Sequence, residues 1–131
     1  MSYMTNILRI ATENKNFRTV LHTTHKSQLV VMNIPVGEDI GEETHSYVEQ
    51  ILYFQSGRGK TILDGEESVV GSGDVLIVSP GIKHNVINTG SEPLIIATVY
   101  VPPNHIDGTI HKTKADAIND TKDELFGESV W

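Results

Sequence analysis

Residues 57–81 read GRGKTILDGEESVVGSGDVLIVSPG, and the alternation of short apolar runs with turn formers in this stretch decides the fold. The runs at 60–63, 68–70 and 75–78 are rich in β-branched side chains and too short for helices. Asp64-Gly65 joins the first two, a dipeptide suited to a tight hairpin because both turn positions need positive φ. Gly71-Ser72-Gly73-Asp74 turns the chain into 75–78, and Pro80-Gly81 turns it again into a run at 85–88. The pattern continues outward in both directions. Upstream, 50–55 ends in Ser56-Gly57-Arg58-Gly59, and runs at 17–23 and 28–34 end at Pro35-Val36-Gly37. Downstream, residues 89–93 lead into a last long run at 94–101. Short strands separated by turns every eight to twelve residues or so predict an all-β sandwich or closed barrel, closure having the merit of removing exposed edges.

Helix is expected only near the end. Thr113 is a plausible N-cap, with Asp116 in the first turn and a weak apolar spacing through Ala117, Ile118 and Leu125. That spacing predicts a short helix lying on the surface.

Composition narrows the function classes. The chain has 131 residues, enough to bury a core without staples, and no Cys, which excludes disulfides, thiol catalysis and iron–sulfur ligation. Seventeen acidic against ten basic residues give a formal charge of −7, which argues against nucleic acid or an anionic membrane as partner. The N-terminus lacks a basic cluster followed by an apolar run, and no apolar stretch reaches membrane-spanning length. A cytoplasmic protein is the expectation.

Two constellations carry chemistry. One runs Gly37, Glu43, His45, Gln50, Gly57; the other runs Gly73, Ser79-Pro80-Gly81, His84, Asn88. Each sets a metal-capable side chain beside a turn that fixes its direction. His45 and His84 offer imidazole nitrogen and Gln50 an amide oxygen, donors suited to Zn, Mn, Fe, Ni or Co as divalent ions.

At these residues the chain resembles the cupins. The family's first motif is Gly, five residues, His-x-His, three or four residues, Glu, six residues, Gly; here stand Gly37, Glu43-Thr44-His45, Gln50 and Gly57 at that spacing. The second motif is Gly, five residues, Pro-x-Gly, two residues, His, three residues, Asn; here it reads Gly73, Ser79-Pro80-Gly81, His84, Asn88. The resemblance implies a double-stranded β-helix, or jelly-roll barrel, followed by a short C-terminal helix. The whole of 1–131 is expected to form one domain, with N-terminal strands at 17–33, barrel motifs at 34–103 and a tail at 104–131. It also places the four ligand positions on Glu43, His45, Gln50 and His84. Three departures matter: Glu43 replaces a histidine, Gln50 a glutamate and Ser79 a proline. The carboxylate has in effect moved from one end of the first motif to the other. Two histidines and one carboxylate resemble the ligand types of non-haem iron oxygenases.

Each assignment has a plainer competitor. Glu49 could take the place of Gln50, but the spacing to Gly57 would then be one residue too long. His45 could be an exposed loop residue, Glu43 one half of a solvated acidic pair with Glu42, and Gln50 a buried structural amide. Tyr53, Thr98 and Tyr100 lie on strands able to line a cavity, where core packing is their ordinary role. His22, His25, His105 and His111 have no spacing that ties them to a site, although His105 follows Pro102-Pro103-Asn104 and could cover the barrel mouth.

The expected function is a metal-dependent enzyme, isomerase- or dioxygenase-like, acting on a small oxygenated molecule such as a sugar or a hydroxy- or keto-acid. The barrel also resembles that of mannose-6-phosphate isomerases. The alternatives are a non-catalytic ligand-binding module and a barrel whose Glu43 and Gln50 changes have abolished the metal. A homodimer is expected, because strands such as 17–34 in this family often pair with a second subunit and so hide an edge.

Overall fold

The computed structural model describes residues 2–129. Eight strands follow the expected order: β1 (Arg18–Thr23), β2 (Gln28–Ile34), β3 (Glu49–Ser56), β4 (Arg58–Leu63), β5 (Glu66–Gly71), β6 (Val75–Val78), β7 (His84–Asn88) and β8 (Leu94–Val101). A two-residue β9 (Ile110–His111) comes after them. They form a six-stranded sheet in the order β6-β3-β8-β2-β1-β9 and a three-stranded sheet β5-β4-β7, all pairs antiparallel.

The period of two in each strand sorts the side chains. Leu52 and Phe54 on β3, Val30, Met32 and Ile34 on β2, and Leu94 and Ile96 on β8 fill the space between the sheets. Gln50, Thr98, Tyr100, His84 and Arg18 share that inward parity and are equally buried. One end of the interior is therefore apolar and the other polar. The turns are as chemistry dictates: Asp64 and Gly65 both take positive φ, +48° and +86°, as a primed hairpin turn requires. Gly57 adopts φ +95° and lies so close to β8 that a Cβ there would stand 2.7 Å from the Pro93 carbonyl oxygen.

Helix is not confined to the end, as the sequence suggested. An N-terminal α1 (Ile7–Glu13), capped by Asn6, packs on the outer face of the large sheet. Ala11 of α1 buries against Val31, Ile95 and Ala97, the outward residues of β2 and β8. A single turn pair with one fully buried Ala gives little periodicity to read in advance. At the other end there are two helices rather than one. α2 (Lys114–Asn119) starts at the expected Thr113 cap, in a full capping box with Asp116. α3 (Thr121–Ser129) follows directly and buries Asp123.

Candidate metal centre

The loop before β3 is stitched to the start of β7. Glu43 and His84 form an antiparallel bridge: the Glu43 N–H donates to the His84 carbonyl at 2.9 Å, and the His84 N–H to the Glu43 carbonyl at 2.8 Å. The Gly81 N–H donates to the His45 carbonyl at 2.8 Å. These bonds bring Glu43 and His45 against His84, 41 and 39 positions further along the chain, so that the three each offer a donor atom within 4.8 Å of the others.

His84 is almost fully buried, and its Nδ1–H donates to the Ile82 carbonyl at 2.9 Å. That bond fixes the tautomer and leaves the Nε2 lone pair buried without a partner. Burial pushes the His84 imidazole below its ordinary value, in spite of the Ile82 bond, so the ring is held neutral. His45 lies with its ring 5.2 Å from that of His84. Its Nε2 is 3.0 Å from a Glu43 carboxylate oxygen but off the line of a hydrogen bond, so it too is left without a hydrogen-bond partner. Burial opposes ionisation of Glu43, but His45, Arg18 and His105 outweigh it and hold the carboxyl below the usual range. A carboxylate at Glu43 and a neutral imidazole at His84 are forms a divalent ion requires.

Gln50 faces inward beside Leu52 and Phe54, whereas Glu49 has the opposite parity, so strand alternation agrees with the spacing. Its Nε2 donates to Thr98 Oγ1 and to the Tyr100 hydroxyl, both at 3.2 Å, while its Oε1 is buried and unpartnered. Unsatisfied buried polar atoms are few in folded proteins, and three sharing one end of a barrel fit a group able to hold a metal ion. Thr98 and Tyr100 thus have a polar use beyond packing: they orient the Gln50 amide.

Glu43 and His45 line a cavity of about 650 Å³ whose far side is formed by the chain after β8 and by α2 and α3. The residues that sequence reasoning missed are here. His105 and Asp123 line the same cavity, with His105 Nδ1 donating to Asp123 Oδ2 at 2.7 Å, and Arg18 reaches it from β1. The Pro102-Pro103-Asn104 lead-in to His105 was the one available signal; nothing in the spacing marked Arg18 or Asp123. His111, Asp120 and Asp123 also offer donor atoms within 4.8 Å of one another. That second group is closed on itself: His111 bonds to Arg18 and Asp120, and Asp123 to His105 and the Ile106 N–H.

Comparison with known proteins agrees with this architecture. The cupin domain family matches residues 30–105. An uncharacterized Bacillus subtilis protein, YrkC, is 42% identical over 123 residues, covering 88% of this chain and 66% of its own. The chain thus spans about two thirds of the length of that relative. The crystal structure of BH2720 from Bacillus halodurans superposes with a TM-score of 0.89 at 35% identity, covering 90% of this chain and 94% of that one. A Thermotoga maritima structure described as a predicted oxalate decarboxylase gives a TM-score of 0.57 at 26% identity, over 60% of this chain and 69% of that one. A family match over more than half of the chain, on the barrel and motif residues already described, makes this chain a member of the cupin family.

Proposed function

We propose that Glu43, His45 and His84 ligate a divalent transition metal, with the Gln50 amide oxygen as a fourth donor, and that the protein is a metal-dependent enzyme on a small oxygenated molecule. The observation that carries the reading is the set of buried donor atoms without hydrogen-bond partners, His84 Nε2, His45 Nε2 and Gln50 Oε1, at the polar end of the barrel. The ion would serve as a Lewis acid for an oxygen of the bound molecule. The chain's own part is to hold the donors in fixed directions, through the Ile82 carbonyl for His84 and through Thr98 and Tyr100 for Gln50. The adjoining cavity is of the size that ordinarily takes small ligands. A non-catalytic binding module would use the same residues, and turnover assays on isomerisable sugars and oxidisable keto-acids separate the two. The chain is read as one cupin unit, since strands from 17–33 and from 104–131 complete the sheet that the barrel motifs build.

The test is elemental analysis of protein purified without a metal-affinity step. Wild type is expected to carry about one equivalent of Zn, Mn, Fe, Ni or Co, and His84→Ala none, with unchanged circular dichroism because the core does not depend on the ion. A full equivalent retained by His84→Ala, or wild type free of metal after growth with each ion, would overturn the reading.

A homodimer also stays a proposal, on different grounds from the sequence. β1 finds its partners in its own chain, β2 and β9, so it does not seek a second subunit. The support lies in the large sheet's outer face, where the paired residues Ile77, Ile51, Val99 and Leu29 form an apolar row across four strands. Ile77 is 57% exposed and none of the four is fully buried.

A further inference from the structure

Two buried groups on the cavity wall are not among the proposed metal ligands. Arg18 is 5% exposed and lines the cavity together with Glu43 and His45. Its guanidinium lies over the Phe17 ring, and Nη1 donates to His111 Nδ1 at 3.2 Å. A guanidinium can only donate, so His111 Nδ1 is the acceptor there, and the other ring nitrogen of His111 meets Asp120 at 2.9 Å. The Arg18 Nε–H is buried with no partner. Among the described residues, no carboxylate oxygen comes within 4.0 Å of Arg18. Buried guanidinium groups are ordinarily paired, since an uncompensated charge in a protein interior is costly.

His105 is 6% exposed on the same wall. Asp123 takes its Nδ1–H on one oxygen and the Ile106 N–H on the other, at 2.7 and 2.8 Å. Each carboxylate oxygen thus has a partner, and the bond to Nδ1–H fixes His105 in the tautomer whose Nε2 carries the lone pair. That Nε2 is buried and unpartnered. The Tyr100 ring meets His105 edge-on at 5.0 Å and His45 edge-on at 6.1 Å, so the two sites are one aromatic ring apart. A purely structural role for either group would consume these atoms in protein hydrogen bonds; instead one unpartnered N–H and one unpartnered ring nitrogen belong to buried side chains of the cavity wall.

We propose that Arg18 and His105 form an anion subsite that receives a small hydroxycarboxylic acid, the guanidinium taking the carboxylate and His105 Nε2 accepting the hydroxyl hydrogen. Glu43 and Asp123 already place negative charge nearby, so a monoanion suits the subsite better than a phosphate dianion. The proposal selects hydroxy-acids over neutral sugars as the ligands of the metal centre. It rests on the metal reading only for the ligand's further contact with the ion; the carboxylate contact needs no ion.

The experiment therefore begins with metal-free protein labelled with ¹⁵N. The chain has only three arginines, Arg9, Arg18 and Arg58, so the Arg18 Nε–H resonance is assigned as the one that survives when the exposed pair is replaced, Arg9→Lys with Arg58→Lys. Titration with glycolate is expected to shift that resonance and titration with glycolamide to leave it in place. Arg18→Met should weaken glycolate binding by about tenfold or more, as loss of a charge-assisted hydrogen bond implies. His105→Phe should weaken glycolate but leave acetate, which has no hydroxyl, unchanged. An Arg18 signal unmoved by saturating glycolate, moved equally by glycolamide, or moved at lower concentration by inorganic phosphate overturns the proposal. The wild-type titration decides even if a variant fails to fold. Repeating it with Zn²⁺ or Mn²⁺ separates the two readings: a glycolate response in protein that binds neither ion upholds the subsite and removes the metal, and bound metal without a glycolate preference does the reverse.

Discussion

Glu43 is the one carboxylate among the proposed ligands, and a divalent ion taken into a barrel mouth keeps two positive charges that neutral donors leave uncompensated. Glu43→Gln should therefore weaken metal binding by at least roughly 10–100-fold, judged from what outer-shell changes cost elsewhere. Gln50→Ala should cost far less, because water can replace an amide oxygen. Chelator competition measures both; equal affinities for wild type and Glu43→Gln would put Glu43 in solvent. A second expectation concerns acid. Burial holds His105 below its ordinary 6.5 despite Asp123, while Asp123, though burial opposes it, is held below 3.8 chiefly by His105. In both cases the unfolded chain binds protons at a higher pH than the folded one, so acidification favours unfolding. The metal-free protein should lose thermal stability as pH falls below about 6.5, the reference value for His105, and lose more as Asp123 titrates below about 3.8. Melting curves at pH 7, 6 and 5 that coincide would contradict this. The motif spacing made Glu43, His45 and His84 legible because one backbone bridge ties the two motifs together. His105 was legible only as a residue able to cover the barrel mouth, and its link to Arg18 and Asp123 was not, because the three lie 18 to 105 residues apart in the chain and no local pattern encodes their meeting. Arg18 left one trace: a charged residue at the inward parity of Val20, directly after the apolar Phe17.

At the level of elements, turn chemistry decided most. The bounds of β2, β6 and β8 were readable to the residue because Pro35, Gly73-Asp74 and Pro93 bracket apolar runs. The glycine before β4 shows why such turns tolerate little change. Gly57→Ala would put a methyl 2.7 Å from the Pro93 carbonyl oxygen, and in a left-handed conformation besides. It is expected to destabilise the protein by about 2 kcal/mol or more, seen as a lower urea midpoint at constant slope. Gly81→Ala, with φ +86° but nothing within 4 Å, carries the backbone strain alone and should cost less. What escaped the sequence reading was α1 and the second half of the tail. α1 has a single buried residue, Ala11, so its amphipathic signal is nearly absent. In α3 the buried residue is Asp123, a polar side chain that a hydrophobic pattern scores against burial.

The molecule as a whole presents one sheet face to α1 and leaves the row from Ile77 to Leu29 only partly covered. Light scattering at micromolar concentration should return twice the chain mass, and Ile51→Asp with Ile77→Asp should return it to one. A wild-type monomer would dismiss the dimer. The pairing of β1 with β9 carries a different consequence, in the time domain. Arg18 pairs with His111, 93 residues later, and β2 pairs with β8 from Ile34–Leu94 to Gln28–Tyr100. At roughly 5–20 residues per second on the ribosome, the first hairpin waits on the order of 5–20 s for its neighbours to be made. Contacts so distant along the chain also slow the folding step itself, toward the millisecond-to-second range of β-barrels. Throughout that wait Val20, Val30 and Met32, all buried in the finished core, remain on the surface of a growing polypeptide. The strands that close the barrel last are thus the ones that release the first strands from exposure.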